Sequence, residues 1–428
     1  MAPKTVGTGA MLRAYLLALR AIGPFLPGYL RRRLKRGRED PARWREKLGE
    51  AGLPRPDGTV VWFHAVGLGE VMALRGLIRA MGKARPDLSF LVTSSARSSA
   101  QAFAGNMPPC TQHQFLPLDA PGFVSRFLDH WRPDLSVWAE QDLWPGLVVA
   151  SAKRGIPLAL INARMNARAF AARVRVRGLY RDLYARFAHI SAQDADTAQH
   201  LQALGAHAVG VTGSIKSGAG PLADQPEHRT ALNGALAGRK PWLAASSHPS
   251  DEAVAMAAQA ALFAGDPARL LIIAPRDPAR RAEIIAACVA AGLSVAIRSQ
   301  GDLPRANDAV YLADTFGEMG LWYRLCPVAL VGGSLGDTGG HNPWEPAHLG
   351  CAVLHGPNVA NFAGDYAALH AAGAAAEVTD VTGMLAALND PDLPEIAARG
   401  KALAETGMAG MDQLCHRLLA LLPQGDHG

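Results

Sequence analysis

From residue 60 onward, short apolar runs alternate with longer stretches of helical periodicity, and this alternation constrains the fold more than any other feature. Apolar runs without polar alternation are typical of strands that are buried on both faces of a parallel sheet. The first series of runs covers residues 60–66, 88–93, 135–138, 157–161 and 189–191. The second series covers residues 242–246, 270–274, 293–297, 309–312, 328–331 and 352–355.

Two series of strands predict two domains, and the length of 428 residues, too long for one ordinary core, agrees. We predict an α/β fold of two doubly wound, Rossmann-like domains with a ligand-binding cleft between them. The stretch between the series is rich in Gly, Pro and charge, which is typical of a linker. The predicted boundaries are an N-terminal domain at 41–220, a linker at 221–240 and a C-terminal domain at 241–428, whose last helix is free to pack back on the first domain.

The first forty residues form a basic segment that differs from the rest of the chain. Residues 1–50 contain twelve Lys or Arg and four Asp or Glu, a net charge of +8, so the remaining residues together carry −2. Apolar residues recur at helical spacing between residues 12 and 22, and six Lys or Arg follow between residues 31 and 38. We therefore predict that residues 1–40 contain a basic amphipathic helix that contacts anionic lipid. The alternative is a core helix with a solvated basic turn.

A membrane span, a secretory signal and a nucleic-acid-binding arm fit this segment less well. The run between Arg20 and Arg31 has ten uncharged residues, is broken by Gly and Pro, and is too short to cross a bilayer. A secretory signal would need a clean uncharged core and a small-residue cleavage site. Nucleic acid is a weaker interpretation because the only dense basic run lies beside apolar residues that do not stack on bases, and we expect no nucleic-acid partner.

The five cysteines are scattered along the chain and form no C-x-x-C pair. This pattern indicates a reducing compartment and argues against a zinc or disulfide framework. The cysteines therefore give no support for a secreted, disulfide-linked protein.

The most informative short stretch is Gly340 to Pro346, which follows the apolar run 328–331 and a group of glycines. Asn342 suits a helix N-cap, Pro343 suits the first helical position, and Glu345 stands where a capping box places an acid. Free N–H groups at a helix start favour an anion, and a carboxylate accepts from sugar hydroxyls. We predict a nucleotide or sugar pocket here, with the alternative that Glu345 only caps its own helix.

Several other short motifs occur in a fixed order between about residue 40 and residue 380. They are Leu48-Gly-Glu50, Trp62-Phe-His-Ala-Val-Gly-Leu-Gly-Glu70, Glu140-Gln-Asp-Leu-Trp-Pro145, Asn162-Ala-Arg164, Gly213-Ser-Ile-Lys216, Ser247-His248, Pro275-Arg276, Gly317-Glu-Met-Gly320, Gly332 to Pro346, and Asn361-Phe362. In this order the motifs resemble the Kdo transferases, the 3-deoxy-D-manno-oct-2-ulosonic acid transferases of lipopolysaccharide assembly. The resemblance implies the two-domain GT-B glycosyltransferase fold.

The resemblance also implies an activity. A Kdo transferase moves Kdo from CMP-Kdo to a lipid A precursor of the lipid IVA type, with inversion, by direct attack of an acceptor hydroxyl. CMP-Kdo is a substrate, so no cofactor is expected, and no metal binds the donor. The implied partners are CMP-Kdo, the lipid A precursor and inner-membrane anionic lipid. The implied location is the cytoplasmic face of the bacterial inner membrane, as a peripheral or monotopic protein.

Three residues match the family's catalytic positions. Glu50 matches the general base, which takes the proton of the acceptor hydroxyl. Glu140 and Lys216 match positions that stabilise the transition state, where an acid meets the positive anomeric centre and a cation meets the leaving phosphate or sugar carboxylate. On the residues alone, Glu50 could be a surface acid and Lys216 a solvated linker lysine, whereas Glu140 follows a predicted strand.

The family's CMP site matches residues of the second series of strands. A guanidinium such as that of Arg276 suits a phosphate, and a glycine such as Gly317 permits close backbone approach to a ligand. Glu345 suits the ribose hydroxyls, and Trp344 could equally be a packing residue. The matching residues are Pro275, Arg276, Phe316, Gly317, Glu318, Asn342, Pro343, Trp344 and Glu345.

The chain departs from the family pattern at several positions. Gln141 and Asp142 stand where Thr and Glu are usual, Asn166 replaces a serine, and Ser214 and Ser217 replace Asn and Phe around Lys216. These changes bear on the acceptor and on the number of sugars added. The candidate base and the nucleotide site keep the family's residues.

Two other functional classes remain open on the sequence alone. One is another GT-B enzyme, such as a nucleotide-sugar epimerase, and the other is a non-catalytic nucleotide-binding membrane protein. NAD binding is a poor interpretation of Gly67-Leu-Gly69-Glu70, because the third glycine of a dinucleotide fingerprint is missing. His64 is interpreted as a core histidine.

Overall fold

The computed structural model describes residues 7–423, which form two compact units. Within this range, unit 1 contains residues 7–219 and 407–423, and unit 2 contains Gly220–Thr406. Residues 1–6 and 424–428, the ends of the predicted segments 1–40 and 241–428, lie outside the described residues.

Unit 1 is built on a seven-stranded parallel sheet with the strand order β3-β2-β1-β4-β5-β6-β7. Its strands are β1 (Val60–His64), β2 (Ser89–Ser94), β3 (Thr111–Phe115), β4 (Leu135–Ala139), β5 (Leu158–Ala163), β6 (His189–Ala192) and β7 (Val209–Val211). Its helices are α1 (Ala10–Ile22), α2 (Leu26–Lys35), α3 (Leu68–Ala84), α4 (Arg97–Ala104), α5 (Pro121–Trp131), α6 (Pro145–Lys153), α7 (Ala167–Val174), α8 (Arg177–Tyr184) and α9 (Ala195–Ala203).

Unit 2 repeats this plan, with a second seven-stranded parallel sheet in the order β10-β11-β9-β8-β12-β13-β14. Its strands are β8 (Lys240–Ser247), β9 (Arg269–Pro275), β10 (Val295–Ile297), β11 (Val310–Leu312), β12 (Val328–Val331), β13 (Ala352–His355) and β14 (Ala375–Glu377). Its helices are α10 (Pro226–Ala235), α11 (Pro249–Gly265), α12 (Arg281–Ala290), α13 (Met319–Leu325), α14 (Trp344–His348), α15 (Ala363–Ala371), α16 (Val381–Leu388) and α17 (Leu393–Leu419), which ends in unit 1.

Each sheet buries both of its faces, as the uninterrupted apolar runs predicted. In β1, Trp62 and Phe63 point to opposite faces and are both fully buried, in separate hydrophobic clusters. The end of α17 completes the second of these clusters, where Leu414 and Leu418 pack with Phe63. The doubly wound α/β architecture is therefore confirmed for each unit.

Three short strands were not predicted from the sequence, and β3 shows why. Its core carries Gln112, His113 and Gln114, which break the apolar pattern. The buried His113 ring lies 2.9 Å from the Ser94 hydroxyl, and the buried Gln114 accepts a hydrogen bond of 2.7 Å from the Trp131 indole N–H. Buried polar residues that find hydrogen-bond partners can occupy an edge strand such as β3, so periodicity alone missed this strand.

The predicted linker at 221–240 differs from the structure. It contains helix α10 and the start of β8, and it belongs to unit 2. Leu232 of α10 is buried in a core cluster of that unit. The Pro, Gly and charged residues that suggested a linker lie mainly on the exposed face of α10 and in the loops that flank it.

The basic N-terminal segment forms two helices where one was predicted. A 3-10 turn at Gly23–Phe25 separates α1 from α2, and Pro24 and Pro27 explain the break. Leu12 of α1 is fully buried in the core of unit 1, and the Tyr15 hydroxyl donates to Asp119 at 3.2 Å. The segment is therefore attached to unit 1 on one side.

The opposite side of these two helices is apolar and exposed. The exposed fractions are 60% for Leu17, 51% for Ile22, 75% for Phe25 and 52% for Tyr29. Among the helices formed by residues 7–423, none has both the length and the apolar composition that crossing a bilayer requires.

Candidate functional site

The strand order of unit 1 reverses between β1 and β4, since β2 and β3 extend the sheet to one side and β5 to β7 to the other. Open α/β sheets bind ligands outside the carboxyl ends of the strands at such a reversal. His64 ends β1, Glu140 directly follows β4, and Asn162 lies near the end of β5. We refer to Glu70, Glu140, Asn162 and Lys216 as the unit 1 site.

Glu140 is held in an unusual backbone conformation. Its φ angle is +61°, in the left-handed region that non-glycine residues rarely adopt, and its N–H donates to the Ile161 carbonyl at 2.9 Å. Asn162, whose φ is +53°, donates its side-chain N–H to the Glu140 carboxyl at 3.5 Å. Strained backbone of this kind clusters at functional sites, because surrounding contacts must hold it in place.

The Glu140 carboxyl forms a hydrogen-bonded pair with the Glu70 carboxyl. Burial first, and then the Glu70 charge, raise the pKa of Glu140 from its usual 4.5 to about 7, although Lys216 and Arg164 oppose the rise. Glu70, at the start of α3, accepts backbone N–H groups from Val66 at 3.0 Å and Gly67 at 3.2 Å. These two backbone hydrogen bonds hold the Glu70 carboxyl at the start of α3, next to Glu140.

Asn162 connects this carboxyl pair to the loop that carries Lys216. Its side-chain oxygen accepts the Ile215 N–H at 3.1 Å, while its side-chain nitrogen faces Glu140. A Cβ placed on Gly69 would lie 3.9 Å from the Lys216 ammonium nitrogen, so this cation lies over the start of α3. The structure thus brings together Glu140 and Lys216, which the sequence had placed 76 positions apart.

Glu50 lies elsewhere on unit 1, in the loop after a 3-10 helix at Trp44–Leu48. Gly49 has a φ of +79°, and a Cβ there would overlap the Phe123 carbonyl at the start of α5. Only glycine fits this close approach, so Gly49 fixes the position of Glu50. The half-exposed Glu50 carboxyl lies 3.4 Å from the Arg45 guanidinium.

The loop with Glu50 reaches the same edge of the sheet as the unit 1 site. Phe115, which ends β3, donates its N–H to Glu46 at 2.7 Å, and Leu118 donates to the Lys47 carbonyl at 2.9 Å. These bonds attach the loop at the carboxyl end of β3, whereas Glu140 and Lys216 lie at β1, β4 and β5. The candidate base and the candidate stabilising pair therefore occupy different parts of one edge.

His64 is a buried histidine, as predicted. Its Nδ1 lies 3.0 Å from the Thr93 hydroxyl, and its Nε2 lies 3.6 Å from the Asp142 carboxyl. Burial raises the pKa of Asp142, but the hydrogen bond and charge of His64 and the Trp144 indole N–H outweigh burial and lower it. Asp142, one of the departures from the family pattern, is thus anchored to β1.

Unit 2 has its own strand reversal, between β8 and β12. There the fully buried Asp251 accepts three backbone N–H groups, from His248 at 2.9 Å, Gly333 at 2.7 Å and Leu335 at 3.1 Å. This one carboxylate joins the start of α11 to the glycine-rich loop that follows β12. The loop is consequently held in position before any ligand binds.

Arg276, His341 and Glu345 lie together at this loop. Burial raises the pKa of Glu345, against the Asn342 hydrogen bond and the positive charge of Arg276. Burial, with the charges of His248 and Arg276, lowers the pKa of His341 to about 4. The exposed Arg276 guanidinium, beside a carboxyl and a neutral imidazole, forms a site suited to a phosphate and a sugar hydroxyl.

The helix start at this loop differs from the prediction in detail. Helix α14 begins at Trp344, so Pro343 occupies the N-cap position that was predicted for Asn342. The Asn342 side-chain oxygen accepts the Trp344 N–H at 3.1 Å, and its nitrogen faces Glu345 at 3.5 Å. The Asn342 side chain thus closes a local turn with the Trp344 N–H, and the helix starts one residue later than predicted, at Trp344 and not at Pro343. Trp344 is a core residue whose indole donates to Asp365.

The predicted residues after β11 are divided between surface and core. Phe316 is 78% exposed, and Gly317 has a φ of +81° with open space where a Cβ would stand. The Glu318 carboxylate instead turns inward, where it accepts from Arg298 at 2.8 Å and from Thr315. Burial would raise the pKa of Glu318, but these partners lower it. Pro275 is the buried last residue of β9.

Comparison with known proteins assigns this chain to a family. Residues 42–219 match the family model described as 3-deoxy-D-manno-octulosonic-acid transferase (kdotransferase). A 3-deoxy-D-manno-octulosonic acid transferase of Bordetella pertussis is 34% identical over 86% of this chain and 88% of its own length. A probable mitochondrial one of Arabidopsis thaliana is 34% identical over 82% of this chain and 80% of its own.

The chain belongs to the Kdo transferase family. This confirms the resemblance and the predicted enzyme class, a glycosyltransferase of lipopolysaccharide core biosynthesis. A solved UDP-GlcNAc 2-epimerase of Neisseria meningitidis has a TM-score of 0.50 at 14% identity, over 85% of this chain and all of that chain. That likeness shows the fold alone, and it agrees with the predicted GT-B class.

Two members of this Kdo transferase's unit 1 site, and one residue beside it, were not among the predicted site residues. Glu70, Asn162 and Arg164 were noted only as parts of short motifs. Asn162 and Arg164 lie at the carboxyl end of β5, and Glu70 lies in the first turn of α3, which follows β1. Their position after predicted strands could have identified them, but their pairing with Glu140 needed the strand order.

The carboxyl pair makes the stability of the enzyme depend on pH. Between about pH 4.5 and 7 the folded chain binds the Glu140 proton more tightly than the unfolded chain, so this contribution is lost as pH rises through 7. Glu140→Gln removes the charge, so we expect the variant to gain about 1–3 kcal/mol over wild type at pH 8 and far less at pH 5. Urea unfolding at the two pH values measures both differences.

Asp57→Asn, at an exposed acid, is the control for this substitution. Its stability difference from wild type should be the same at pH 5 and pH 8. An equal stability difference between Glu140→Gln and wild type at pH 5 and pH 8 would contradict the raised pKa of Glu140.

Proposed function

We propose that this enzyme transfers Kdo from CMP-Kdo to a lipid A precursor, with inversion at the anomeric carbon. The observation that carries the proposal is the position of Lys216 beside the Glu70–Glu140 carboxyl pair, at the strand reversal of a family member's first unit. Kdo carries a carboxylate, and its transfer passes through a transition state with positive charge at the anomeric carbon. A cation stabilises the negative groups, and a carboxylate stabilises the positive carbon.

Unit 2 has the groups that a cytidylate needs. Arg276 offers a guanidinium for the phosphate, and Glu345 offers an acceptor for the ribose hydroxyls. The rigid loop that Asp251 anchors, together with Phe316 and Gly317, supplies backbone and aromatic surface for the base. Glu318 contributes through its backbone, since its carboxylate is paired with Arg298.

Unit 1 supplies the chemistry at the acceptor and at the transferred sugar. The Glu50 carboxylate takes the proton of the acceptor hydroxyl while that oxygen bonds to the anomeric carbon. The bond from that carbon to the phosphate oxygen breaks, and its electron pair leaves with CMP. Lys216 offsets negative charge on the departing phosphate or the sugar carboxylate, and Glu140 lies where positive charge develops. The proposed transfer uses no donor-binding metal and no cofactor.

Family membership favours transfer over the two alternatives from the sequence. The likeness to an epimerase is a likeness of fold, and a non-catalytic nucleotide-binding protein would have no use for a strained, buried Glu140. We therefore take the transferase as the single candidate.

We further propose that the enzyme binds the cytoplasmic face of the inner membrane through α1 and α2. The exposed apolar side chains of these helices lie close in sequence to the exposed cations Arg31, Arg32, Lys35 and Arg36. Apolar residues beside basic ones suit an anionic lipid interface. A cavity of about 290 Å³ between Arg20, Pro24, Pro27 and residues 120–123 adjoins Phe123, the contact of Gly49. A membrane-bound acceptor would thus arrive near Glu50.

Replacement of Glu50 tests the catalytic role. Glu50→Gln keeps the shape but loses the base, so kcat should fall by about 100-fold or more while CMP affinity stays unchanged. CMP release gives the rate, and calorimetry gives the affinity. Asp57→Asn, an exposed acid of unit 1, should retain full activity. Wild-type turnover in Glu50→Gln would refute the assignment.

Replacement of Arg276 should have the opposite effect. Arg276→Ala loses a charged hydrogen bond to phosphate, so CMP affinity should fall by about tenfold or more. Arg305→Ala, another exposed arginine of unit 2, is the control and should bind CMP as wild type does. Unchanged CMP affinity in Arg276→Ala would remove it from the site.

Replacement of the exposed side chains of α1 and α2 tests membrane binding. Leu17→Ala with Phe25→Ala removes apolar surface that only a membrane would cover, so partition onto anionic vesicles should fall by about tenfold, with stability unchanged. Vesicle sedimentation and thermal unfolding measure the two effects.

Leu12→Ala, on the buried side of α1, is the matched control. It should cost about 2–5 kcal/mol of stability and leave vesicle binding intact at temperatures where the variant is folded. Wild-type vesicle binding by the double variant would refute the membrane contact.

A further inference from the structure

A second group of convergent side chains lies in unit 2, away from the residues assigned above. His355 ends β13, Glu377 ends β14, and His370 lies on α15 between them in sequence. His355 and Glu377 are direct partners in the register of the two parallel strands. One imidazole nitrogen from each histidine and one carboxylate oxygen all lie within 4.8 Å of one another.

The His355 ring is oriented as metal ligands usually are. Its Nδ1 lies 2.7 Å from the Gly356 carbonyl, which only an N–H can satisfy, so the lone pair is on Nε2. Metal-binding histidines commonly donate their other N–H to a backbone carbonyl in this way.

The Nε2 atoms of His355 and His370 face each other at 2.7 Å, and the exposed Glu377 carboxylate lies beside them. We propose that His355, His370 and Glu377 bind a divalent transition-metal ion, and that Zn²⁺ suits them best. Two imidazoles and one carboxylate form a common set of protein ligands for zinc, with a water in the fourth position. Mg²⁺ and Ca²⁺ prefer oxygen ligands and fit this set poorly.

His370 and Glu377 are exposed, so a metal ion can reach the site from solvent. Tetrahedral zinc with bonds of about 2.0–2.1 Å needs the two nitrogens about 3.3 Å apart. His370 is an exposed side chain near the end of α15, so a small rotation can provide the difference. Without the ion, the same two rings form an N–H···N hydrogen bond.

The other histidine pair of unit 2 makes a useful contrast. His248 and His341 also face each other, at 2.9 Å, but their rings are stacked with an angle of 15° between planes. The positive charge of Arg276 acts on His341 and would repel a second cation there. That pair is therefore a poor metal site, whereas His355 and His370 have a carboxylate as their third neighbour.

The proposed ion would reinforce the edge of the second sheet. β14 is an edge strand of three residues, which offers few backbone hydrogen bonds of its own. A metal bound by His355, His370 and Glu377 would join β13, α15 and β14. The next residue, Gly356, donates its N–H to Ser334 of the glycine-rich loop at 2.8 Å. The ion's role is structural, and it is separate from the metal-free transfer proposed above.

Zinc titration of the chelator-treated full chain tests this proposal. With a competing chromophoric chelator at pH 7.5, we expect one Zn²⁺ per chain and an affinity at least about tenfold weaker in His370→Gln and in Glu377→Gln. His207→Gln, an exposed histidine of unit 1, is the control and should leave the affinity unchanged. Co²⁺ should give the intense visible absorption of a four-coordinate site in wild type, and His370→Gln should lose it.

Thermal unfolding supplies a readout that is independent of the chelator. At a hundredfold excess over Kd, zinc should raise the Tm of wild type by about 5 °C and leave that of His370→Gln nearly unchanged. His370 is exposed, and the glutamine amide also has an N–H to donate to His355, so the apo variant should unfold nearly like apo wild type. No bound zinc, or zinc bound equally well by both ligand variants, would overturn the proposal and leave the transferase assignment untouched.

Discussion

The constraint on which the rest depends is that both sheets are wholly parallel and that each reverses its strand order beside its first strand. All carboxyl ends of a sheet then lie on one edge, and the reversal opens a crevice between two neighbouring strands. In unit 1 this crevice separates β1 from β4 and holds Glu140, and in unit 2 it separates β8 from β12 and holds the loop that Asp251 anchors. Residues far apart in sequence meet because the topology brings their strand ends together.

Within the first crevice, the chain keeps a costly arrangement. Glu140 is hydrogen-bonded to Glu70 beside Lys216, its backbone is left-handed, and the Asn162 amide bonds both to Glu140 and to the loop of Lys216. The raised pKa of Glu140 and its left-handed backbone cost stability, so substitutions that relieve them are expected to stabilise the fold while reducing activity. The hydrophobic clusters on both faces of the first sheet stabilise unit 1 and offset this loss of stability. The packing of α17 against that sheet adds to them.

The sequence predicted the class of fold because buried parallel strands are visible as apolar runs, and it predicted eleven of the fourteen strands that residues 7–423 form. It missed β3 because that strand's polar residues find partners only after folding, and it took α10 for a linker because the exposed face of that helix is polar. Pattern matching identified Glu140 and Lys216. The Glu70–Glu140 pair depends on the order of the strands, and the inward orientation of Glu318 depends on Arg298. No local sequence pattern encodes either one.

The central claim is that this family member transfers Kdo from CMP-Kdo to a lipid. The most direct measurement is mass spectrometry of the lipid after the full chain is incubated with CMP-Kdo and a tetra-acylated lipid A precursor. The account predicts a lipid that is heavier by one or more Kdo residues, with release of an equal amount of CMP. A lipid of unchanged mass, or a donor sugar converted in the absence of any lipid, would contradict it.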